Sequence, residues 1–156
     1  MEKDVARGFP DLSSLLLDID HFKELNDRYG HQVGDDALRA VAAAVKGVVR
    51  ATDFSARYGG EEIAIILPST DTKGAVEVAE KARSAVEALQ IAHEGNPEGG
   101  GWVTVSAGVA TAFSRQGGTM RMPESLLLAA DNALYKAKRE GRNHVATALL
   151  VAVREL

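Results

Sequence analysis

The stretch Ser14-Leu15-Leu16-Leu17-Asp18-Ile19-Asp20 is a short apolar run that ends in two acids. It predicts a buried strand that carries carboxylates at its C-terminal end. A carboxylate in such a place is costly unless a cation pairs with it. The alternative, that an acid such as Asp18 at a strand end is simply solvated, stays open on this pattern alone.

Helical and strand-like patterns alternate along the rest of the chain. Helices are predicted at residues 21–29, 35–49, 71–89 and 123–141, and Gly30 ends the first of them. Further strands are predicted at residues 54–58, 61–67 and 102–113 and from His144 onwards, with surface loops at 94–101 and 114–122. This order predicts a single α+β sandwich in which helices cover a mostly antiparallel sheet.

Two glycines, Gly59 and Gly60, separate two of the strand-like runs. They predict a β-hairpin with a two-residue turn, because glycine accepts the positive φ angles that such turns require. Glu61 and Glu62 follow this turn directly. Together with the acids at the end of the first strand, they predict a site built from oxygen ligands, which suits Mg²⁺ or Mn²⁺.

Composition excludes several classes of protein. The chain has 156 residues, which suits one domain, and no cysteine, which rules out disulfides and thiolate metal sites. Its formal net charge of −4 argues against binding a nucleic-acid polymer, which requires a broad basic face. No apolar stretch approaches the roughly 20 residues that cross a membrane. We therefore expect a cytoplasmic domain without membrane contact of its own, whatever larger protein it belongs to.

Two cations, Lys138 and Arg142, lie four residues apart at the end of the last predicted helix. This spacing places both on one face of the helix. They could simply complement the helix dipole, which favours cations at a C-terminus. The alternative is that they clamp a triphosphate that a metal ion also holds.

Three blocks of sequence, taken together, resemble the GGDEF family of diguanylate cyclases. They are DIDHFKELND at residues 18–27 with GHQVGD at 30–35, RYGGEE at 57–62, and ADNALYKAKREGRN at 130–143. The resemblance implies a palm-like nucleotidyl-cyclase sandwich with a ferredoxin-like core, in which helices flank a mostly antiparallel five-stranded sheet. It also implies an enzyme that condenses two GTP molecules into cyclic di-GMP, as a homodimer in which each domain holds one GTP.

The resemblance implies a role for each matching residue. Mg²⁺ or Mn²⁺ would be held by Asp18, by Glu61 and by the backbone carbonyl of Ile19. The phosphates would lie along Phe22 and Lys23, and either Glu61 or Glu62 would accept the proton. The remaining contacts to the nucleotide would come from Asn26 and Asp35 at the guanine, His31 at the pocket border, and Lys138 and Arg142 at the terminal phosphates. Plainer interpretations are a helix-facing Asn26, a helix-capping Asp35 and a His31 at the edge of the core.

The segment Arg50-Ala51-Thr52-Asp53 resembles the RxxD site at which the product inhibits many members of the family. An arginine there can fork onto guanine or phosphate, and Asp53 can accept from the guanine edge. The simpler interpretation is a local Arg50–Asp53 ion pair, which contributes little stability. The family usually has an arginine where this chain has Lys81, and lysine cannot make the same planar, bidentate contact.

Three departures from the family pattern affect the expectations. Ile63 replaces the usual phenylalanine and Ala107 replaces a larger aliphatic residue, both of which we expect to alter packing only. The helix with a DxLTxLxNR pattern that usually precedes the first strand has no counterpart in residues 1–14. Residues 1–156 are therefore predicted to form one GGDEF domain that is a trimmed part of a larger protein. The competing hypotheses are a module that only binds GTP or cyclic di-GMP, and another palm-like nucleotidyl cyclase or polymerase.

Overall fold

The strand that the opening stretch predicts lies at the centre of the sheet. The structure, a computed structural model, describes residues 11–114, 122–148 and 151–153. The strands are β1 (Leu12–Ile19), β2 (Phe54–Arg57), β3 (Glu62–Pro68), β4 (Val105–Ser114), β5 (Val145–Thr147) and β6 (Val151–Val153). The helices are α1 (Phe22–Tyr29), α2 (His31–Lys46), α3 (Thr72–Glu87) and α4 (Met122–Arg139), with a short 3₁₀ turn at Pro97–Gly99.

The sheet is mostly antiparallel, as predicted. Its main path runs β2-β3-β1-β4-β5, and the short strand β6 also pairs with β4. β1 is antiparallel to both of its neighbours, and only β5 and β6 pair in parallel with β4. The five-stranded α+β sandwich is therefore confirmed, with one addition. The last predicted strand is divided in two, and each half pairs with a different part of β4.

Helices cover both faces of this sheet. Leu15, Leu17 and Ile19 pack into a core with α2 and α3, whereas Leu16 packs on the opposite face against Leu126 and the rest of α4. Side chains alternate along a strand, so Asp18 points to the same face as Leu16, under α4. This alternation brings the last turns of α4 and the acid of β1 together.

The two departures from the family pattern inside the sheet both lie in the hydrophobic core. Ile63 is 5% exposed and Ala107 is fully buried, and both belong to the core between the sheet and helices α2 and α3. On the other face the closest approach is at Gly108 of β4, where a methyl group would overlap with the backbone of Ala130 and Leu134. Glycine at this position lets α4 lie directly on the sheet.

The hairpin between β2 and β3 differs from its prediction. Arg57 pairs with Ile63, and the Tyr58 amide donates to the Glu62 carbonyl over 2.8 Å. Three residues rather than two therefore separate the closing pair, and Glu61 lies in the turn itself. Gly59 and Gly60 both keep φ outside the left-handed region, so the predicted two-residue turn with positive φ angles was wrong.

Other helices and strands begin or end a few residues away from their predicted boundaries. Helix α2 begins at His31 directly after Gly30, whose φ is 95°, and not at Asp35. Strand β4 begins at Val105, because Trp102 forms only an isolated bridge with Ala92. The predicted loop at 114–122 falls mostly outside the described residues. Among the described residues, no helix is both long and apolar enough to cross a membrane.

Candidate active site

The end of β1 and the last turns of α4 form the centre of the candidate site. Asp18 is 3% exposed, and its Oδ2 accepts a hydrogen bond from Lys138 Nζ over 2.6 Å. The other oxygen, Oδ1, is buried and has no hydrogen-bond partner within the described ranges. Glu61, in the hairpin turn, faces the same pocket as Asp18. Asp18 therefore lines the pocket and keeps one buried carboxylate oxygen without a hydrogen bond from the described chain.

Burial and mutual repulsion act on the acids of this site. Burial raises the pKa of Asp18 above its ordinary value, although the nearby Lys138 opposes the shift. Burial also raises the pKa of Glu61, and the charge of Asp18 adds to the effect. The pKa of Glu62 is raised by burial first and by Asp18 and Asp131 next. A cation placed among these carboxylates would favour their ionised forms and so oppose all three shifts.

These observations fit the divalent cation that the sequence predicts. A buried, unpartnered carboxylate oxygen beside a second carboxylate is the donor chemistry that Mg²⁺ and Mn²⁺ prefer. In the part of the chain that the structure describes, no three His, Cys, Asp or Glu side chains gather into a complete metal cluster. The residues that could hold the ion are therefore Asp18 and Glu61, with the carbonyl of Ile19, which also lines the pocket.

Asp20 is bound to protein groups and does not extend the oxygen site. It is fully buried, its Oδ1 accepts from Ser106 Oγ over 2.6 Å, and its Oδ2 accepts from Thr104 Oγ1 over 2.8 Å. The backbone amide of Asn143 also donates to Oδ2 over 3.0 Å. The two acids that end β1 are thus used differently. Both residues line the pocket, but Asp18 keeps one carboxylate oxygen without a hydrogen bond from the residues described, whereas both carboxylate oxygens of Asp20 accept hydrogen bonds from protein groups.

The residues predicted to contact phosphate surround the same pocket of about 190 Å³. Phe22 and Lys23 come from the start of α1, and Lys138 and Arg142 come from the end of α4. Lys23 Nζ is exposed and lies 3.5 Å from Asp27, while the Arg142 guanidinium lies 3.9 Å from Glu98. Three cations therefore line one small pocket that also holds the two candidate metal-ligating acids.

The residues predicted to read guanine lie on α1 and α2. The Oδ1 atom of Asn26 is buried without a hydrogen-bond partner among the residues described, and it lies against Gly34. Asp35 and His31 are exposed on α2. Because α2 begins at His31, Asp35 lies inside the helix and does not cap it. The plainer interpretations of Asp35 as a cap and of His31 as a core-edge residue are therefore wrong.

The RxxD residues form the local pair that the simpler interpretation expects. Arg50 donates to both carboxylate oxygens of Asp53, at 3.0 and 3.3 Å, and also to Thr70 Oγ1 at 2.7 Å and the Pro68 carbonyl at 3.1 Å. Asp53 raises the pKa of the Arg50 guanidinium. Lys81 is exposed on α3. It lies about 13 Å along the helix axis from Thr72, where α3 begins. Both interpretations of the segment remain compatible with these contacts.

Two residues of the site were not found from the sequence. Glu98, in the 3₁₀ turn, accepts from His21 Nε2 over 2.8 Å and lies beside Arg142. Asn143 anchors the turn that follows α4, through Asp20 and through Arg83 of α3. Asn143 ends the third sequence block, and that position was the only signal available for it. Glu98 lies in a glycine-rich segment that predicted no more than a surface loop.

Comparison with known proteins agrees with this geometry. Residues 3–144 match the family described as "Diguanylate cyclase, GGDEF domain". Diguanylate cyclase DgcP of Pseudomonas aeruginosa is 38% identical over 151 residues, covering 95% of this chain and 21% of that protein. Response regulator PleD of Caulobacter vibrioides is 41% identical over 145 residues, covering 92% of this chain and 30% of that protein. The chain thus spans less than a third of these curated relatives.

Solved structures give the same result for the fold. The GGDEF domain of DgcB from Caulobacter crescentus, in complex with c-di-GMP, matches with a TM-score of 0.76 and 37% identity, covering 93% of this chain and 82% of that one. The active GGEEF domain of a diguanylate cyclase from Vibrio cholerae matches with a TM-score of 0.74 and 31% identity, covering 94% and 85%. Fold and acidic site together define an α+β domain of the nucleotidyl-cyclase type. More specifically, the chain belongs to the GGDEF family of diguanylate cyclase domains.

Proposed function

We propose that this chain condenses two GTP molecules into cyclic di-GMP and releases two pyrophosphates. The observation that carries the proposal is the buried Asp18, which lines a pocket shared with Glu61 and three cations and keeps one carboxylate oxygen without a hydrogen bond in the described part of the chain. Acids alone would hold a metal ion, and cations alone would hold an anion. Both together in a pocket of about 190 Å³ suit a metal-bound triphosphate.

Each domain binds one GTP through contacts along its whole length. Asn26 and Asp35 bind the guanine edge, which offers an N1–H and an amino group as donors, and His31 borders the base. Phe22 and Lys23 lie along the phosphates. Lys138 and Arg142 hold the terminal phosphates, and they orient the pyrophosphate for departure.

The reaction is attack of the ribose 3′-hydroxyl of one GTP on the α-phosphorus of the other. Asp18, Glu61 and the Ile19 carbonyl would hold a Mg²⁺ or Mn²⁺ ion, which would supply the positive charge that acidifies the hydroxyl and neutralises the leaving oxygens. Lys23 adds positive charge beside the phosphates. A carboxylate of the hairpin accepts the proton of the hydroxyl, and Glu61 suits this role better than Glu62 because Glu61 lines the pocket.

Catalysis requires two copies of the domain, because each holds one of the two GTP molecules. A two-fold axis that brings the two hairpins face to face would juxtapose the hydroxyl of one GTP and the α-phosphorus of the other. All four residues of β2 are exposed at the edge of the sheet, and Tyr58 beside them is 56% exposed, which leaves this surface free for a second copy.

Cyclic di-GMP inhibits the enzyme by binding away from the active site, at Arg50 and Asp53 with a weaker contribution from Lys81. The Arg50 side chain is 55% exposed even though it pairs with the buried Asp53. A ligand can therefore reach the guanidinium without unfolding the segment. The c-di-GMP complex of the related DgcB domain makes the same ligand a reasonable choice here.

The test is to incubate the purified chain with GTP and Mg²⁺ and to identify the product by mass spectrometry. We expect cyclic di-GMP and pyrophosphate, and we expect Glu61→Gln to lower turnover at least about 100-fold while the fold persists. Binding of GTP or cyclic di-GMP without any turnover would support the alternative of a binding module. Turnover of Glu61→Gln within a few-fold of the parent would remove Glu61 from the metal site.

A further inference from the structure

Helix α4 ends in an unusual turn that carries Arg142. The Gly141 amide donates to the Lys138 carbonyl and the Arg142 amide donates to the Ala137 carbonyl, which is the Schellman arrangement. Gly141 has φ of 123°, as this arrangement allows for glycine, but Arg142 and Asn143 follow with φ of 61° and 46°. Two successive residues other than glycine rarely keep this conformation, so contacts outside the turn must hold it.

The first such contact comes from the end of β1. The Asn143 amide donates to Asp20 Oδ2 over 3.0 Å. Asp20 is itself held in place, because it is fully buried and accepts hydrogen bonds from two hydroxyls. These belong to Ser106, in β4, and to Thr104, which directly precedes β4. The backbone directly after Arg142 is therefore bonded to a rigid part of the sheet.

The second contact comes from α3 and holds the Asn143 side chain by both of its atoms. Arg83 NH1 donates to Asn143 Oδ1 over 2.9 Å, and Asn143 Nδ2 donates to Glu87 Oε2 over 2.9 Å. Arg83 is held in turn by Glu80 at 2.6 Å and by Glu87 at 3.3 Å, and its side chain is only 17% exposed. A cation on one side and an acid on the other fix the orientation of the amide.

We propose that Asp20 and Arg83 are positioning residues that act through Asn143 to hold Arg142 at the phosphate end of the pocket. Arg142 lies between the end of α4 and the anchored Asn143. The two attachments on either side of it therefore determine the direction of its side chain. A turn released from either anchor would lose the left-handed conformation and withdraw the guanidinium from the pocket. The inference rests on the proposed function, because it takes the contact of Arg142 with phosphate from there.

A double-mutant cycle between Arg83 and Arg142 tests the proposal. The ligand is 3′-deoxy-GTP with Mg²⁺, which cannot react because it lacks the attacking hydroxyl, and binding is measured by calorimetry. We expect Arg83→Gln to weaken binding about tenfold, since small displacements of a positioning group have effects of at least this size. We expect Arg83→Gln to have no further effect in the Arg142→Ala background, because the residue to be positioned is then absent.

Two further variants separate positioning from general stability. Asn143→Gly accepts the positive φ but loses both side-chain contacts, so it should reproduce the loss caused by Arg83→Gln. Lys73→Gln removes an exposed cation from the same helix and should bind like the parent. Asp20→Asn is a secondary variant, because Asp20 also bonds the sheet, and it is compared only at matched thermal stability.

The outcomes distinguish the inference from the proposed function. Equal binding by the parent and by Arg83→Gln, or additive losses in the double variant, would overturn the positioning role. A parent that binds no triphosphate would reject the proposed function instead. In that case hydrogen exchange of the Asn143 amide decides: faster exchange in Arg83→Gln supports the anchored turn, and unchanged exchange overturns it.

Discussion

Lys138 Nζ and Asp18 Oδ2 lie 2.6 Å apart, although 120 residues separate them in the sequence. Lys138, which the sequence predicts to contact phosphate, is thus hydrogen-bonded to Asp18, which the sequence predicts to hold the metal ion. Because Asp18 is buried, its ionised form needs this partner, and Lys138 opposes the rise in its pKa. The pair couples the stability of the domain to the charge state of its active site.

We expect Lys138→Met to destabilise the fold by about 1–3 kcal/mol near pH 7.5, because it leaves a buried carboxylate unpaired. This loss of stability is smaller than the loss expected for a fully buried ion pair, because Lys138 is 31% exposed. The loss requires ionised Asp18, so it is largest above the raised pKa of Asp18 in the folded state. It should shrink as the pH falls through the pKa of Asp18 in the folded state, which lies above the ordinary value of 3.8, because Asp18 is then neutral in both proteins.

Urea denaturation of the parent and of Lys138→Met at several pH values measures this difference. Lys136→Met is the matched control, because Lys136 is exposed on the same helix. Equal stability of the parent and Lys138→Met at neutral pH would show that Asp18 does not depend on the pair.

A second prediction concerns the contact between α1 and α2 at the guanine end. A methyl group on Gly34 would overlap with the side-chain oxygen of Asn26. Alanine is the better helix former by about 1 kcal/mol, so Gly34→Ala should not destabilise α2 itself. We expect it to displace Asn26 and to weaken GTP binding about fivefold to tenfold, through the loss of a base contact.

Gly47→Ala is the control, because a methyl group there would make only ordinary or slightly tight contacts with helix backbone. Calorimetry with GTP analogues and thermal denaturation of both variants give the two readouts. If Gly34→Ala binds the nucleotide as tightly as the parent, then Asn26 does not read the base.

Much of the fold follows from short-range patterns. The run around Leu16 is apolar on both faces, which predicts a central strand whatever the tertiary contacts are. The prediction of a two-residue hairpin turn was wrong because Gly-Gly is compatible with several turn lengths. The register between β2 and β3 also depends on the pairing of β3 with β1 on its other edge. The start of α2 was not predicted because no described side chain caps it; the residue at its N-cap is Gly30, with φ of 95°.

The candidate site was only partly predictable, for a different reason. Motif blocks indicate which residues matter, and Asp18, Lys138 and Arg142 do line one pocket. The motif blocks cannot indicate which contacts hold those residues in place, because these contacts join segments that are far apart in the sequence. Asp20 and Asn143 are 123 residues apart, and neither periodicity nor spacing predicts their hydrogen bond.

A third prediction concerns the inhibitory site. Arg50 donates to Asp53, Thr70 and Pro68, so cyclic di-GMP must compete with contacts inside the chain. We expect Arg50→Ala to weaken binding of cyclic di-GMP, as measured by calorimetry, while binding of 3′-deoxy-GTP stays unchanged. Lys81→Arg should strengthen it, because arginine can make a bidentate contact and lysine cannot.

Each variant can contradict a separate part of this site. Equal affinity of the parent and Arg50→Ala for cyclic di-GMP would leave the segment as a structural ion pair. If Lys81→Arg gains nothing, Lys81 lies outside the site even where Arg50 belongs to it.

Glu98 places a negative charge beside the phosphate end of the pocket. The hydrogen bond from His21 holds the pKa of Glu98 below its ordinary value, so Glu98 is ionised at neutral pH. Its Oε2 lies 3.9 Å from Arg142 NH1. A triphosphate that binds Arg142 must therefore displace this carboxylate or lie against it, and either one weakens binding.

The last prediction is that Glu98→Gln binds 3′-deoxy-GTP more tightly than the parent, by about twofold to fivefold, the range expected for a partly exposed charge pair. The gain should diminish at 0.5 M salt (roughly a 4 Å screening length), because screening weakens exposed charges first. Calorimetry at two salt concentrations measures both effects. Glu94→Gln is the control, since Glu94 lies in the same segment but pairs with Arg28. Weaker binding by Glu98→Gln would mean that Glu98 orients Arg142 and does not compete with the ligand.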